Sequence, residues 1–360
     1  MSSAKLKRVL SKLQAEYGDD SFMTLDEVPQ TGAVSSGSLS LDYATGIGGL
    51  PDNRVVEFAG ANGAGKSTLA FRAIDNALEK NPDKLALYLD VEGRISQDWA
   101  RKHVVNNDRL YISQPTTAEE ATDYYTGAVG TGDFCVAVFD SIGGAPTQRV
   151  ADKSATIGNV GGNALAITRF AGFAQTYSNK YRCLTIGVNQ IRDDMAGYRR
   201  LITPGGQAWK HATSLRIELK RKTKDIVTAE VDGQDITVGH KVSAKIHKNS
   251  LGRAGTAIEY WLYTVDTEKY GPVGVDQNQE LINLSILTGI LDKGGAGMYA
   301  YEDFPKGKIR GYDNVIKFLL KNEDVFEKMR GQLLEKLAAD NVEGVFENFE
   351  ARDETFEIDS

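Results

Sequence analysis

Residues Gly60–Ser67 read GANGAGKS and match the phosphate-binding P-loop pattern G-x-x-x-x-G-K-[ST] at every fixed position. The stretch lies between an apolar run, Arg54–Ala59, and a helix-prone stretch that begins at Lys66, which is the strand–loop–helix arrangement that the motif needs. Glycines let successive backbone N–H groups point at one anion, and the following helix presents its positive end. The sequence therefore predicts a site for a nucleoside triphosphate.

The side chains that P-loop chemistry requires are also present. Lys66 is expected to reach the β- and γ-phosphates, and Ser67 to offer its hydroxyl to Mg²⁺. Asp140 ends the apolar run Phe134–Asp140, and P-loop ATPases need such an acid to hold Mg²⁺ through water. We therefore predict ATP and Mg²⁺ as cofactors, with Ser67 and Asp140 at the metal. The predicted phosphate-binding residues are Gly60, Ala61, Asn62, Gly63, Ala64, Gly65, Lys66, Ser67 and Thr68.

Hydrolysis also needs a base or a water-positioning residue near the γ-phosphate. Glu92 follows the apolar strand Leu85–Val91, so it lies at the carboxyl edge of the predicted sheet, where open parallel sheets bind their ligands. Asp90 lies at the same place and is the alternative base. Gln190 follows another apolar strand, Cys183–Asn189, and at this edge it could report whether a γ-phosphate is present.

The composition is typical of a soluble globular protein, with 41% hydrophobic and 25% charged residues. No apolar run approaches the roughly 18 residues that span a bilayer, and the first residues lack a signal-peptide core, so we expect no membrane contact and a cytoplasmic location. Cys135 and Cys183 fall inside predicted strands, where a reduced core thiol is the expected state. The four histidines show no ligand spacing, so no zinc site is predicted.

The net charge of −7 belongs to the C-terminal end of the chain. Residues 340–360 contain eight acids and one arginine, and the remaining residues carry no net charge. Such a tail is either a solvated, disordered end or an electrostatic mimic of nucleic acid that competes for a basic surface elsewhere on the protein.

The order of predicted elements indicates an α/β fold with a mostly parallel central sheet. Four apolar runs with little alternation are typical of parallel strands buried on both faces. Later segments alternate, and Asp232-Gly233 is a hairpin signal, so the sheet should end antiparallel. The parallel strands are Arg54–Ala59, Leu85–Val91, Phe134–Asp140 and Cys183–Asn189, the alternating segments are Ser214–Arg221, Ile226–Val231 and Ile236–His247, and the helices are Ser67–Glu79, Ser96–Lys102, Ala118–Val129 and Ala164–Tyr177.

The ends of the chain differ from this core. Residues 4–17 are predicted to form an amphipathic helix, followed by a polar linker. Near the other end, Leu281–Leu291 and Val315–Lys336 look helical and flank a stretch rich in Gly, Lys and aromatics, which indicates a small α/β domain. The predicted domains are 1–36, an N-terminal helix and linker for oligomerisation; 37–269, the ATPase core; 270–336, the C-terminal domain; and 337–360, the acidic tail.

Six stretches, taken in order, resemble the RecA family of DNA strand-exchange recombinases. They are SSGSLSLDYATGIGGLP (35–51), the P-loop, YLDVEG (88–93), FDSIGGAP (139–146), VNQIR (188–192) and TPGGQAWK (203–210). The resemblance extends from the N-terminal helix to about Lys336 and is that of a divergent bacterial or bacteriophage member. It implies a RecA-like core with an N-terminal interface helix and a small C-terminal α/β domain.

The resemblance implies roles for several residues of the ATP site. Glu92 would activate the attacking water, Gln190 would couple the γ-phosphate to the following loop, and Trp99 would stack on the adenine. Lys248 matches a basic residue that the family presents to the ATP of the neighbouring subunit. The family's second lysine, two positions on, is Ser250 here, although Arg253 could substitute. The resulting catalytic candidates are Lys66, Glu92, Gln190 and Lys248.

Two DNA-binding loops of the family match about Ala155–Gly162 and about Ile191–Pro204. The second has arginines for phosphates and two side chains that could wedge between bases, and a glycine pair follows it that could offer bare N–H groups. A basic cluster at Lys306, Lys308 and Arg310 resembles the surface with which the family captures duplex DNA. The predicted DNA-binding residues are Asn159, Gly161, Arg192, Met195, Tyr198, Arg199, Arg200, Gly205 and Gly206.

The function that the resemblance implies is ATP-dependent homologous recombination. The protein would be a DNA-dependent ATPase that forms a helical homo-oligomer on single-stranded DNA and pairs it with duplex DNA. Two alternatives stay open: a ring-forming motor of the same core fold, such as a helicase ATPase, and an ATP-gated DNA-coating mediator with little turnover. The N-terminal helix and the C-terminal domain speak against the motor, whereas Ser250 keeps the mediator in consideration.

Overall fold

The structure of the 360-residue chain is a computed structural model. It describes residues 4–18, 22–144, 146, 162–191, 203–231 and 233–339. The chain forms two compact units, Met1–Gly32 and Ala33–Ser360. The boundaries predicted for the C-terminal domain and the acidic tail remain predictions.

The first unit contains the predicted N-terminal helix. Helix α1 spans Ala4–Tyr17, and a short 3₁₀ turn follows at Leu25–Glu27. Several apolar side chains of α1 are exposed, among them Leu6, Val9 and Tyr17. An apolar stripe of this kind is typical of a helix that packs against another surface.

The second unit is built on a nine-stranded sheet. Its strands are β3 Val55–Gly60, β4 Leu85–Asp90, β5 Leu110–Ser113, β6 Phe134–Asp140, β7 Leu184–Gln190, β8 Thr213–Val231, β9 Gln234–Asn249, β10 Ala257–Tyr263 and β11 Gly274–Val275. Their order in the sheet is β11-β10-β9-β8-β3-β7-β6-β4-β5. The sheet is parallel from β8 to β5 in this order and antiparallel from β8 to β11, as the sequence predicted. A separate two-stranded sheet pairs β1 Ala33–Val34 with β2 Leu50–Pro51.

Helices cover both faces of the sheet, which explains the continuous apolar runs. On β6, Val136 and Val138 join one hydrophobic cluster, whereas Ala137 and Phe139 join the other. Alternate residues of one strand therefore face two different cores. The core helices are α2 Leu39–Ala44, α3 Lys66–Lys80, α4 Gln97–His103, α5 Ala118–Val129, α6 Gly162–Tyr181 and α7 Gly206–Ala212. Both cysteines are buried in the core and reduced.

One predicted break in the antiparallel region is wrong. Strand β8 is continuous from Thr213 to Val231, although two separate segments were predicted there. The pairing with β9 shifts register between Arg221 and Ile226, so the polar residues between them form a bulge and do not end the strand. Val231 pairs with Gln234 across a two-residue connection, in which Gly233 has a φ of 80°.

The C-terminal elements surround a third hydrophobic cluster. The predicted helix Leu281–Leu291 is displaced by four residues, because Asp276 accepts a hydrogen bond from the Gln279 amide at 2.9 Å and starts the helix earlier. The helix predicted over Val315–Lys336 is two helices, since the Asn322 side chain donates to the carbonyl of Phe318 at 2.7 Å between them. These elements are α8 Gln277–Leu287, β12 Asp292–Lys293, β13 Met298–Ala300, β14 Lys308–Arg310, α9 Tyr312–Leu319 and α10 Glu323–Ala339.

None of the described helices has the length and apolar character that crossing a bilayer requires.

Candidate functional site

The P-loop lies where the sequence predicted it, between β3 and α3, and its glycines are required by the geometry. Gly63 and Gly65 have φ values of 74° and 89°, in the left-handed region that favours glycine. A Cβ on Gly65 would lie 2.7 Å from Leu262 Cδ2, and a Cβ on Gly60 would lie 2.4 Å from the carbonyl oxygen of Leu219. The loop is therefore held tightly against β8, which carries Leu219, and β10, which carries Leu262.

Lys66 is buried at the start of α3, with 8% of its surface exposed. Its Nζ donates to the carbonyl oxygens of Gly60 at 2.9 Å and of Ala61 at 2.8 Å, both within the loop. Burial lowers the pKa of Lys66, and the nearby carboxylates of Asp140 and Glu92 oppose that shift. The ammonium group thus lies beneath the backbone that would cradle a phosphate.

Ser67 and Asp140 are brought together, as predicted for a magnesium site. Ser67 Oγ donates to Asp140 Oδ2 at 3.2 Å, and the Tyr88 hydroxyl donates to the same oxygen at 2.6 Å. Burial raises the pKa of Asp140, and the hydrogen bond from Tyr88 works against the rise. Tyr88 was not predicted as a site residue, although it opens the YLDVEG stretch.

This pair fits a P-loop magnesium ion, which takes a hydroxyl and a water-bridged acid from the protein and oxygens from the nucleotide. Among the described residues, no group of three or more His, Cys, Asp or Glu side chains could hold a metal ion by itself. A divalent ion at Ser67 and Asp140 would therefore depend on triphosphate oxygens.

Glu92 and Gln190 are in direct contact. Gln190 Nε2 donates to Glu92 Oε1 at 3.1 Å, and Ser141 Oγ donates to the same oxygen at 2.5 Å. Arg94 pairs with Glu92 Oε2 at 3.0 Å. Because the Arg94 side chain is 70% exposed, this ion pair contributes little to stability. Gln190 was predicted to sense the γ-phosphate and Glu92 to activate the attacking water. The two residues form one hydrogen-bonded unit.

Asp90, the alternative base, has a different environment. It is 3% exposed and accepts hydrogen bonds from the backbone amides of Arg94 and Ile95, at 3.1 and 3.0 Å, and from Gln114 Nε2 at 3.1 Å. These three donors occupy both of its oxygens and hold the turn that follows β4. Two of the donors to Asp90 are backbone amides of its own turn, whereas all three donors to Glu92 are side chains.

A cleft of 520 Å³ connects these side chains. Trp99 lines it and makes an edge-to-face contact with the His103 ring, with centroids 4.8 Å apart. His240 on β9 also lines it and is 3% exposed. No sequence pattern marked His240, because it reaches the P-loop only through antiparallel pairing of the later strands. The residues of the predicted nucleotide site that line the cleft are Asn62, Gly63, Gly65, Lys66, Ser67, Thr68, Glu92, Trp99, Asp140 and Gln190.

Lys248, the predicted residue for the neighbour's ATP, does not line the cleft of its own chain. Its Nζ donates to the carbonyl oxygens of Lys210 at 3.0 Å and His211 at 3.2 Å, at the C-terminal end of α7. A cation at this end of a helix satisfies carbonyl groups that lack helical partners. Lys248 is therefore linked to the helix that follows the second predicted DNA-binding loop.

Of the predicted DNA-binding residues, the structure describes Gly205 and Gly206. Both have positive φ, 102° and 68°, at the start of α7. A Cβ on Gly205 would lie 3.0 Å from Ile142 and from Trp209, whereas one on Gly206 would meet nothing within 4 Å. Lying outside the described residues are Asn159, Gly161, Arg192, Met195, Tyr198, Arg199 and Arg200.

The basic cluster of the C-terminal part is partly on a strand. Lys308 and Arg310 lie two residues apart on β14 and are exposed, so they share one face. Lys306, also exposed, precedes the strand with a φ of 56°. The three cations are thus available to a solvent-side ligand.

Comparison with known proteins gives a consistent result. The family model described as the RecA N-terminal domain matches residues 4–261, which include α1 and the P-loop core. The chain belongs to the RecA family.

The relatives extend this match over nearly the whole chain. Protein RecA of Chloroherpeton thalassium is 32% identical over 346 residues, covering 94% of this chain and 91% of that protein. Protein RecA of Bacillus subtilis is 30% identical over 361 residues, covering 99% and 98%, and Protein RecA of Enterococcus mundtii is 33% identical over 305 residues, covering 83% of each. The predicted resemblance and the RecA-like α/β fold are confirmed, and the identities are those of a divergent member.

Proposed function

We propose that this RecA-family chain is an ATP-dependent homologous recombinase. It polymerises on single-stranded DNA and catalyses homologous pairing and strand exchange with duplex DNA. The observation that carries the proposal is the 3.1 Å hydrogen bond from Gln190 to Glu92. It joins the candidate base of the ATP site to the last residue of β7, immediately before the predicted DNA-binding loop Ile191–Pro204. The family match does not favour the ring-forming motor.

The chemical step is the hydrolysis of ATP to ADP and phosphate. Glu92 accepts a proton from the attacking water. At the same time the water oxygen bonds to the γ-phosphorus, and the bond between the γ-phosphorus and the β–γ bridging oxygen breaks. Lys66 exchanges its loop carbonyl partners for phosphate oxygens and offsets their charge. Mg²⁺, held by Ser67 and through water by Asp140, would neutralise charge on the β- and γ-phosphates.

DNA dependence follows from the position of Gln190. The side-chain amide of Gln190 already contacts Glu92. A shift in the loop after β7 therefore changes the position of Glu92 relative to the attacking water. Hydrolysis breaks no DNA bond; it switches the filament to a state that releases product. The protein therefore grips DNA backbone, and base pairing reads the sequence.

The active assembly is a helical homo-oligomer in which the N-terminal helix packs on the next subunit. Lys248 reaches the ATP of the neighbouring subunit, and Trp99 stacks on the adenine. We place the protein in the cytoplasm of a bacterial cell or of a phage-infected host, where ATP and DNA are both present.

The test is strand exchange between circular single-stranded DNA and linear duplex, with ATP turnover measured in parallel. We expect joint molecules only with homologous duplex and ATP, and ATPase activity that rises with single-stranded DNA. Directional unwinding without homology would identify a motor instead. If Glu92→Gln leaves all DNA functions intact, including product release, the protein is an ATP-gated mediator.

A further inference from the structure

Glu57 is a fully buried carboxylate on β3, a few residues before the P-loop. Its Oε1 accepts from Asn189 Nδ2 at 2.8 Å and from Trp209 Nε1 at 3.0 Å. Its Oε2 accepts from Arg216 Nε at 2.5 Å. The donors come from β7, α7 and β8, so one carboxylate holds three elements to the strand that carries the P-loop.

A contribution to folding stability does not by itself explain a buried carboxylate at this position. A buried ion pair gains roughly what its desolvation costs, and apolar residues of similar volume often pack as stably. Glu57 interrupts the apolar run VVEFAG, and Val55, two residues earlier on the same face of the strand, is buried in a hydrophobic cluster. What the carboxylate adds is a fixed position of β7, α7 and β8 relative to one another, through its three hydrogen bonds.

Two of the three donors also hold the end of the second predicted DNA-binding loop. Arg216 Nη2 donates to Thr203 Oγ1 at 3.1 Å, and Asn189 Nδ2 donates to the carbonyl oxygen of Pro204 at 2.9 Å. The third donor, Trp209, lies against Gly205. The last residues of the loop are therefore tied to Glu57 through every one of its donors.

One of the donors to Glu57, Asn189, also contacts a residue of the proposed ATP site. Asn189 Oδ1 accepts from the backbone amide of Gln190 at 3.0 Å, and Gln190 contacts Glu92. The Trp209 ring also lies directly against β7, since a Cβ on Gly187 would be only 2.1 Å from Trp209 Cζ2. A displacement of α7 is thus passed to the strand that ends in Gln190.

We propose that Glu57 is a positioning residue that couples DNA contact to ATP hydrolysis. It joins the end of the DNA-binding loop, the strand bearing Gln190 and the strand bearing the P-loop into one unit, so that movement at Thr203–Gly205 moves Gln190 relative to Glu92. The proposal rests on the function proposed above for Ile191–Pro204.

Two variants separate coupling from folding. Glu57→Gln keeps the size and the Oε1 acceptor but removes the charge that faces Arg216, and Trp209→Phe removes only the Nε1–H donor and part of the ring. The matched control is Glu280→Gln. Glu280 is a buried carboxylate on α8 that accepts from Ser38 Oγ at 2.6 Å and from the amides of Leu39 at 2.9 Å and Ser40 at 3.2 Å, away from the cleft and the loop.

The measurement is the ratio of ATP turnover with and without single-stranded DNA, alongside the Kd for a fluorescent ATP analogue and the Tm. We expect Glu57→Gln and Trp209→Phe to lower the ratio at least about five-fold while the Kd stays within about two-fold. Glu280→Gln should leave the ratio unchanged, whatever its effect on the Tm.

Two outcomes overturn the proposal. One is a ratio for Trp209→Phe equal to that of the wild type, which decides the matter even if Glu57→Gln does not fold. The other is an equal loss in Glu280→Gln, which would make the effect one of general stability. A wild-type protein that DNA does not stimulate at all would instead overturn the proposed function, and this inference with it.

Discussion

The Tyr88 hydroxyl donates a 2.6 Å hydrogen bond to Asp140 Oδ2, the same oxygen that accepts from Ser67. Because burial raises the pKa of Asp140, this bond helps to keep the carboxylate ionised. A protonated Asp140 would lose its hold on a magnesium-bound water. We therefore expect the acid side of the activity profile to depend on Tyr88, which lines the same cleft.

Tyr88→Phe should shift that profile. The ring is stacked on Phe71 with centroids 5.0 Å apart, so phenylalanine preserves the packing. Without the hydroxyl donor the pKa of Asp140 rises further, and activity should be lost at a higher pH on acidification. We expect the acid limb of kcat/KM against pH to move to higher pH, and more Mg²⁺ to be required below neutral pH. An unchanged acid limb would mean that Asp140 does not limit activity.

Glu92→Gln and Asp90→Asn should separate the two candidate bases. Removal of a general base typically costs about 10²–10⁴ in rate, so Glu92→Gln should lose kcat while still binding ATP and single-stranded DNA. Asp90→Asn should instead destabilise the turn after β4, by about 1–3 kcal/mol, because it accepts two backbone amides there. Turnover by single-turnover kinetics and unfolding in urea give the two readouts. The reverse pattern would make Asp90 the base.

A mixing experiment should show whether Lys248 acts on the neighbouring subunit. Lys66→Ala disables a chain's own phosphate site, and Lys248→Ala removes the residue that the chain would present to its neighbour. Each variant alone should hydrolyse almost no ATP, but an equal mixture should recover activity at roughly a quarter of its interfaces, where an intact site meets an intact Lys248. No recovery would place Lys248 in a structural role at the end of α7.

Glu280 should make stability depend on pH. Burial raises its pKa from 4.5 to about 7, so the folded chain binds a proton there that the unfolded chain releases. This contribution is fully present below about pH 4.5 and is lost as the pH rises through 7, by roughly 3 kcal/mol at most. We expect Glu280→Gln to flatten the change in unfolding free energy between pH 5 and pH 8, relative to wild type, as measured by urea titration at each pH. If the unfolding free energies of wild type and Glu280→Gln changed with pH in the same way, Glu280 would not be the group responsible.

Deletion of Asp340–Ser360 should strengthen duplex binding and lower the Mg²⁺ needed for pairing. The removed segment carries a net charge of −7, which would compete with DNA for the exposed Lys306, Lys308 and Arg310. In a chain with Lys308→Glu and Arg310→Glu, the same deletion should have little effect. Equal duplex affinity with and without the tail across a salt titration would show that it is only a solvated end.

Much of the candidate nucleotide site could be predicted because it follows from where strands end. The P-loop pattern placed Lys66 and Ser67, and the carboxyl edge of the parallel sheet brought Glu92, Asp140 and Gln190 to the same cleft. The contacts of Tyr88 and His240 could not be predicted in this way, since they depend on side-chain direction and on antiparallel pairing over long sequence separations.

The errors in element bounds also have physical causes. The polar residues between Arg221 and Ile226 resemble a loop, yet a two-stranded ladder accommodates them as a bulge. The break between α9 and α10 contains no Gly or Pro, and Asn322 ends the helix through a side-chain hydrogen bond. Glu57 did leave a signal, because a carboxylate within an apolar run needs buried partners.

The most direct test of a recombinase is electron microscopy of the protein on long single-stranded DNA, with and without a non-hydrolysable ATP analogue. We expect continuous helical filaments, with the analogue extending the DNA beyond the length of the naked strand. Rings or isolated particles under the same conditions would contradict the filament and leave a ring-forming motor as the better description.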